Sequence, residues 1–214
     1  MPTELVIFDC DGVLVDSEVL GNQVLVQFVA ELGLDLKLEE AISLFRGCKM
    51  ADCVAMIEQR LGQPTPPDFV NELRARTAEA FKHALHPING IEQALSEIHV
   101  PICVASSGPP EKIRLALQVT GLLARFDPHI FSSYEVGSWK PEPGLFLHAS
   151  ARMDVRTSAC AVVEDSLLGV RAGVAAGMKV FGYCAPSEAI TFRDWGSHPF
   201  HAMSELPALL HLST

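Results

Sequence analysis

Leu5-Val6-Ile7-Phe8-Asp9-Cys10-Asp11-Gly12-Val13-Leu14-Val15-Asp16-Ser17-Glu18 sets a short apolar run against two carboxylates placed two positions apart. An apolar run of this length, bounded by Asp and Gly, reads as a buried strand of a parallel sheet. Open parallel sheets bind ligands beyond the carboxyl ends of their strands, so Asp9 and Asp11 are expected at the mouth of a site. Alternate residues of an extended segment point the same way, which would crowd two like charges into one volume. A divalent cation, a proton on one carboxylate, or a turn at Gly12 would each relieve the repulsion. An ordinary strand-to-loop junction gives the same letters, so the choice rests on the remaining chain.

Downstream of Ser17 the pattern becomes purely helical. Helices are expected from Ser17 to near Gly33, over Leu38 to Leu44, over Met50 to Leu61 and from Asp68 to Leu85, with Pro64-Thr65-Pro66-Pro67 breaking the chain before the last. From Pro87 onward, apolar runs at Ile102 to Ala105, His129 to Phe131, Cys160 to Val163 and Lys179 to Gly182 alternate with helical stretches, ending in closing helices. Strands alternating with helices imply right-handed βαβ units. The expected fold is therefore α/β, a Rossmann-like three-layer core with a parallel sheet, interrupted after its first strand by a four-helix cap domain. Residues 1–16 and 87–214 are assigned to the core and residues 17–86 to the cap. Val15-Asp16-Ser17 and His86-Pro87-Ile88-Asn89-Gly90 are candidate hinges on which the cap could close as a lid.

Composition narrows the class. At 214 residues, 49% hydrophobic and 20% charged, the chain is long enough for a substantial core and ordinary for a globular protein. A net charge of −10 argues against nucleic acid, which needs a basic face, but leaves room for a small phosphorylated ligand in a locally cationic pocket. No apolar stretch approaches the roughly 20 residues of a spanning helix. The N-terminus runs directly into the first strand, so a cytoplasmic protein with no membrane partner is expected. The six cysteines form no Cys-x-x-Cys pair, which disfavours disulfides and structural zinc.

Three later strand candidates also end in polar residues. Ser106-Ser107-Gly108 precedes a helix and could bind phosphate oxygens or simply cap that helix. Lys140 stands in a loop bounded by prolines, aimed at a fixed anion or merely solvated. Glu164-Asp165-Ser166 could supply hard oxygen ligands for Mg²⁺ or cap the next helix. The succession Asp-x-Asp, Ser, Lys-Pro, Glu-Asp, each at a strand end, describes phosphoryl transfer.

With these motifs in this order, essentially the whole chain resembles the haloacid dehalogenase superfamily, in its capped phosphatase and β-phosphoglucomutase-like branch. The motifs that carry the resemblance are Asp9-Cys10-Asp11-Gly12-Val13, Ser106, Lys140-Pro141, and Glu164-Asp165 with Gly169 and Gly177. The resemblance implies a Mg²⁺-dependent hydrolase in which Asp9 is nucleophile and metal ligand and Asp11 is general acid and base. It also implies that Ser106, with Ser107, and Lys140 hold phosphate, and that Asp165 and the Asp11 carbonyl complete the metal site, with Glu164 either a further ligand or a group behind the ligands. The second aspartate separates phosphate chemistry from dehalogenation. Sugar phosphomutases of this kind usually carry a histidine where this chain has Gly21, so a phosphatase is expected over a mutase, and over a phosphonatase, a pyrophosphatase or a silent phosphate sensor. Specificity is expected from the cap, through Arg46, Lys49 and Glu18, although Arg46 and Lys49 could equally lie in a solvated loop and Glu18 could complement a helix dipole. The expected substrate is a small phosphorylated sugar or sugar acid, acted on by a monomer or weak homodimer.

Overall fold

The computed structural model describes residues 2–211. Strand β1, Leu5–Phe8, is fully buried, as its uninterrupted apolar run requires. It is followed by four helices, α1 (Ser17–Glu31), α2 (Leu38–Phe45), α3 (Met50–Leu61) and α4 (Phe69–Ala84), before α5 (Ile91–Glu97) returns the chain to the sheet. Then come β2 (Ile102–Ser106), α6 (Pro110–Val119), α7 (Leu123–Phe126), β3 (Ile130–Ser132), α8 (Ser133–Val136) and α9 (Gly144–Arg152). The chain closes with β4 (Cys160–Glu164), α10 (Leu167–Ala175), β5 (Lys179–Tyr183), α11 (Ala189–Asp194), β6 (His198–Phe200) and α12 (Leu206–His211).

The six strands are all parallel, in the order β3-β2-β1-β4-β5-β6. From β1 the chain builds outward through β2 and β3, then returns to lay β4 on the other side. The strand order thus reverses at β1, the kind of position where open α/β sheets form their ligand crevice. Register brings the ends together: Phe8 pairs with Val104 of β2 and with Val163 of β4. Asp9, Ser106 and Glu164 consequently emerge on one edge of the sheet.

Alternation along the strands makes the three layers. Val6 and Phe8 pack into one apolar cluster with Val104, Ala161 and Val163, while Leu5 and Ile7 pack into another with Cys103, Ala105 and Val162. The helices between β1 and α5 bury a third cluster of their own, including Leu25, Phe28, Ala41, Phe45, Ile57, Phe69 and Leu73. Within it Phe28 and Phe69 stack with ring centroids 4.9 Å apart. The two chain segments joining this helical insert to the core lie side by side: Val15 bridges Pro87, and the Asp16 amide donates to the His86 carbonyl at 2.9 Å.

Two strands depart from the sequence reading, and the short helices α7 and α8 have no counterpart in it. The last segment holds a sixth strand, β6, rather than helices alone. It is three residues long, contains Pro199, and sits at the sheet edge, where a missing N–H is tolerated and no apolar run announces a strand. The strand expected at His129 to Phe131 runs one residue later, because the His129 carbonyl already accepts from Val104 and Ser132 pairs with Ser106. Among the described residues no helix is long and apolar enough to cross a membrane.

Candidate active site

At the carboxyl edge of β1, the Asp9 amide donates to the Val163 carbonyl at 3.0 Å, so the backbone holds Asp9 against β4 before the chain turns away. Gly12 makes that turn at φ +76°, and a Cβ there would stand 2.2 Å from Asp165 Oδ2. Glycine is thus required both by the left-handed backbone and by the approach of the second acidic segment.

Lys140 reaches into the same volume. Its side chain is only 4% exposed, with Nζ 2.6 Å from Asp9 Oδ1 and also bonded to Glu164 Oε1. Glu164 is fully buried, and its other oxygen accepts from the amides of Asp165 and Ser166 at 3.1 Å and from Ser166 Oγ at 3.0 Å. A Cβ on Gly169 would fall 1.9 Å from Glu164, which explains the glycine in the first turn of α10. Neither Glu164 nor Asp165 caps that helix; Ser166 does, accepting from the Gly169 amide at 3.1 Å. The serines of the second station are not helix caps either. Pro109 holds the cap position of α6 without a side-chain bond, while Ser106, almost wholly buried, accepts from the Gly108 amide at 3.1 Å.

Asp11 is paired separately. Lys112 Nζ lies 2.9 and 2.8 Å from its two oxygens, and Ser17 Oγ donates to Oδ1 at 2.5 Å. Sequence reasoning missed Lys112, since a lysine near the start of a helix reads as a solvated side chain. The available signal was its place in the first turn of α6, where the helix dipole favours anions over cations.

The charges fall into two regimes. Burial raises the Asp9 carboxyl to about 7; Lys140 opposes this, and Glu164 and Asp11 reinforce it. Asp165 is likewise pushed well above the usual carboxylate range by burial, then by Glu164 and Asp9, against the pull of Arg46. For Asp11, burial also works upward, but the charge and hydrogen bond of Lys112, with the Ser17 bond, bring it below its ordinary value. Burial disfavours the Lys140 ammonium, yet Asp9 and Glu164 overcome it and raise its pKa. Oxygens of Asp9, Glu164 and Asp165 lie within 4.8 Å of one another. Three buried carboxylates, two of them driven toward protonation by burial and by their acidic neighbours, are a donor set suited to a hard divalent cation.

A cavity of about 440 Å³ opens above this floor. Asp9, Asp11, Ser106, Ser107, Lys140, Asp165, Glu18 and Arg46 all border it. Glu164 is packed behind that lining. Arg46, from the turn after α2, places its guanidinium 3.3 Å from each of Glu18, Asp165 and Glu188, the last a residue that sequence reasoning did not single out. Lys49 is not among the lining residues; its Nζ lies 4.1 Å from the centre of the Trp139 ring. Arg74 of α4 meets Tyr134 of α8, donating to its hydroxyl at 2.9 Å, so both cations tie the helical insert to the segment that leads to Lys140. The remaining insert wall is largely apolar, with Leu25, Phe45, Met50, Ile57 and Leu73.

An open parallel sheet with paired aspartates, a buried lysine and further acids around one cavity at its carboxyl edge gathers groups suited to hydrolytic chemistry. The model of the haloacid dehalogenase-like hydrolase family matches residues 6–183, and the chain belongs to that family. It is 35% identical over 207 residues to the 6-phosphogluconate phosphatase of Escherichia coli (strain K12), covering 96% of this chain and 94% of that protein. A haloacid dehalogenase family hydrolase from Deinococcus radiodurans, solved with bound phosphate and sodium, superposes with a TM-score of 0.81 at 32% identity, covering 99% of this chain and 96% of that one. A conserved haloacid dehalogenase-like protein from Agrobacterium tumefaciens gives 0.85, also at 32% identity, with 99% of each chain covered.

Proposed function

We propose that this phosphoric monoester hydrolase dephosphorylates a small sugar-acid or sugar phosphate, with Mg²⁺ as cofactor and Asp9 as nucleophile. The observation that carries the reading is the Asp9 carboxylate at the cavity floor, bonded at 2.6 Å by the buried Lys140 and grouped with Glu164 and Asp165. Asp9, Asp165 and the backbone carbonyl of Asp11 would hold the cation. Glu164, whose oxygens are engaged by Lys140 and by the 165 and 166 amides, would stand behind them and keep Lys140 aimed. The chemistry the ion supplies is neutralisation of charge on the transferring oxygens.

Asp9 attacks phosphorus in line, forming an aspartyl-phosphate as the bond to the substrate oxygen breaks. Asp11 delivers a proton to that leaving oxygen, then takes one from the water that releases phosphate from Asp9. Lys140, Ser106 and Ser107 steady the phosphoryl oxygens. They also lessen the repulsion between an anionic nucleophile and an anionic substrate.

The substrate class is supported by the Escherichia coli relative, which acts on 6-phosphogluconate by name, and by a cavity within the range that holds small metabolites. Arg74 and the Arg46 guanidinium, the latter shared with Glu18, Asp165 and Glu188, are the cations on the insert side of that cavity, whereas the chain as a whole carries −10. A hydrolase is favoured over a sugar phosphomutase because no histidine borders the cavity among the described residues and Gly21 faces it with open space. The test is phosphate release in the presence of Mg²⁺ from 6-phosphogluconate, hexose phosphates, hexitol phosphates, nucleotides and pyrophosphate, ranked by kcat/KM. Six-carbon acid and polyol phosphates should rank first without any bisphosphate activator. Preference for nucleotides or pyrophosphate would refute the substrate class.

A further inference from the structure

We propose that Lys112 is a positioning residue for Asp11, holding the carboxylate at the angle from which it exchanges a proton with the leaving oxygen. The inference rests on the reading of Asp11 as the group that moves that proton.

Four carboxylates converge on the cavity floor. Lys140 joins Asp9 to Glu164, Arg46 reaches Asp165, and Lys112 lies within 3 Å of both Asp11 oxygens. A single hydrogen bond from Ser17 leaves the Asp11 carboxylate free to rotate about its own axis, and repulsion from Asp9 drives it outward. A cation bridging both oxygens fixes the plane of the group as well as its direction. The lysine is itself held. It leaves the first turn of α6, only six residues beyond Ser106, and its Nζ lies 5.9 Å from the ring of Phe81 on α4, at the seam between core and insert. Its position also runs against the helix dipole, a local disadvantage that the Asp11 pair offsets. Placement matters because a proton donor displaced by about 1 Å can lose on the order of 100-fold in rate.

In the first step the P–O bond to the substrate breaks, a bond from phosphorus to Asp9 forms, and the leaving oxygen receives the proton that Asp11 took from water in the preceding turnover. In the second, water oxygen attacks phosphorus, the Asp9–phosphorus link breaks, and the water proton passes to Asp11. An aryl phosphate such as 4-nitrophenyl phosphate departs as a phenolate and needs no proton in the first step, whereas 6-phosphogluconate does. Rapid-mixing kinetics with both substrates and Mg²⁺ therefore separates proton transfer from all else.

Asp11→Asn is the reference. It should give a nitrophenolate burst near one per enzyme followed by stalled turnover, and no phosphoryl transfer from 6-phosphogluconate. Lys112→Met should show the same split in weaker form. Its kcat for 6-phosphogluconate falls roughly 10- to 100-fold with KM little changed, while the aryl burst slows by less than about threefold. Lys112→Arg, which can bridge the same carboxylate, should recover most of the loss. Lys112→Gln serves if the Met variant does not fold. Equal slowing of the burst and of 6-phosphogluconate turnover, or no effect on either, overturns the proposal. A lack of substrate discrimination in Asp11→Asn instead overturns the reading of Asp11, and the proposal with it.

Discussion

The floor of the cavity, at the ends of β1, β2 and β4, places every carboxylate against a cation, whereas the wall contributed by α1 to α4 is largely apolar and carries few charges. On the floor, Glu164 is fully buried and Lys140 nearly so, and each of their polar atoms has a partner. In the wall, Arg46 retains 31% side-chain exposure, and its Nε faces Glu18 at 3.3 Å without the alignment of a hydrogen bond. A fixed floor suits chemistry common to many phosphate esters; an adaptable wall suits the choice among them.

Substitutions in the two regions should therefore fail differently. The largest effect is expected for Asp9→Asn, which removes the nucleophile and should reduce turnover by about 10⁴-fold or more while leaving the circular dichroism spectrum unchanged. Lys140→Met comes next. It strands Asp9 and Glu164 in a buried site without their cation, so chemical denaturation should report a loss of roughly 3–5 kcal/mol. Gly169→Ala forces a methyl into Glu164 and should cost about 1–3 kcal/mol by the same measurement. In the wall, Arg46→Ala should leave stability within about 1 kcal/mol, because Glu18 and Glu188 are partly solvated and the buried Asp165, already pushed toward protonation, can take up a proton when the guanidinium is removed. Its effect should be to raise KM for a sugar-acid phosphate by roughly tenfold, equivalent to about 1.4 kcal/mol. A wall variant that unfolds the protein, or a floor variant that alters only KM, would break the contrast.

A further effect concerns pH. The Asp9 pKa is raised by folding from about 4 to about 7, so the folded, metal-free protein binds the extra proton across that interval. Its contribution to stability is present below pH 4 and declines as the pH rises to 7. Metal-free wild type should lose stability relative to Asp9→Asn over that window, with Mg²⁺ restoring part of it at pH 7. Denaturation curves at pH 4.5 and 7.5, with and without Mg²⁺, measure this, and a difference that grows in the opposite direction would contradict the burial argument.

The same contrast governs what could be read before the structure. Floor residues lie in short linear motifs at strand ends, and parallel register carries Asp9, Ser106 and Glu164 to one edge, so their convergence was legible. Lys140 was legible from its loop between prolines, which in the structure follows α8 rather than β3 directly, although its grip on Glu164 was not. Lys112 and Glu188 escaped because their ion pairs with Asp11 and Arg46 depend on which neighbouring segment they face, which local pattern does not encode. Lys49 shows the converse: a cation in the turn between α2 and α3 was a reasonable substrate contact by position, yet it rests on Trp139. The edge strand β6 was hidden by its shortness and its proline.

The central claim is that Asp9 carries the phosphoryl group. The direct measurement is acid quenching during turnover of 6-phosphogluconate with Mg²⁺, borohydride reduction, and peptide mass spectrometry. Conversion of Asp9 to homoserine is expected in wild type and none in Asp9→Asn. Phosphate release with Asp9 unmodified, or the label on another residue, would contradict it.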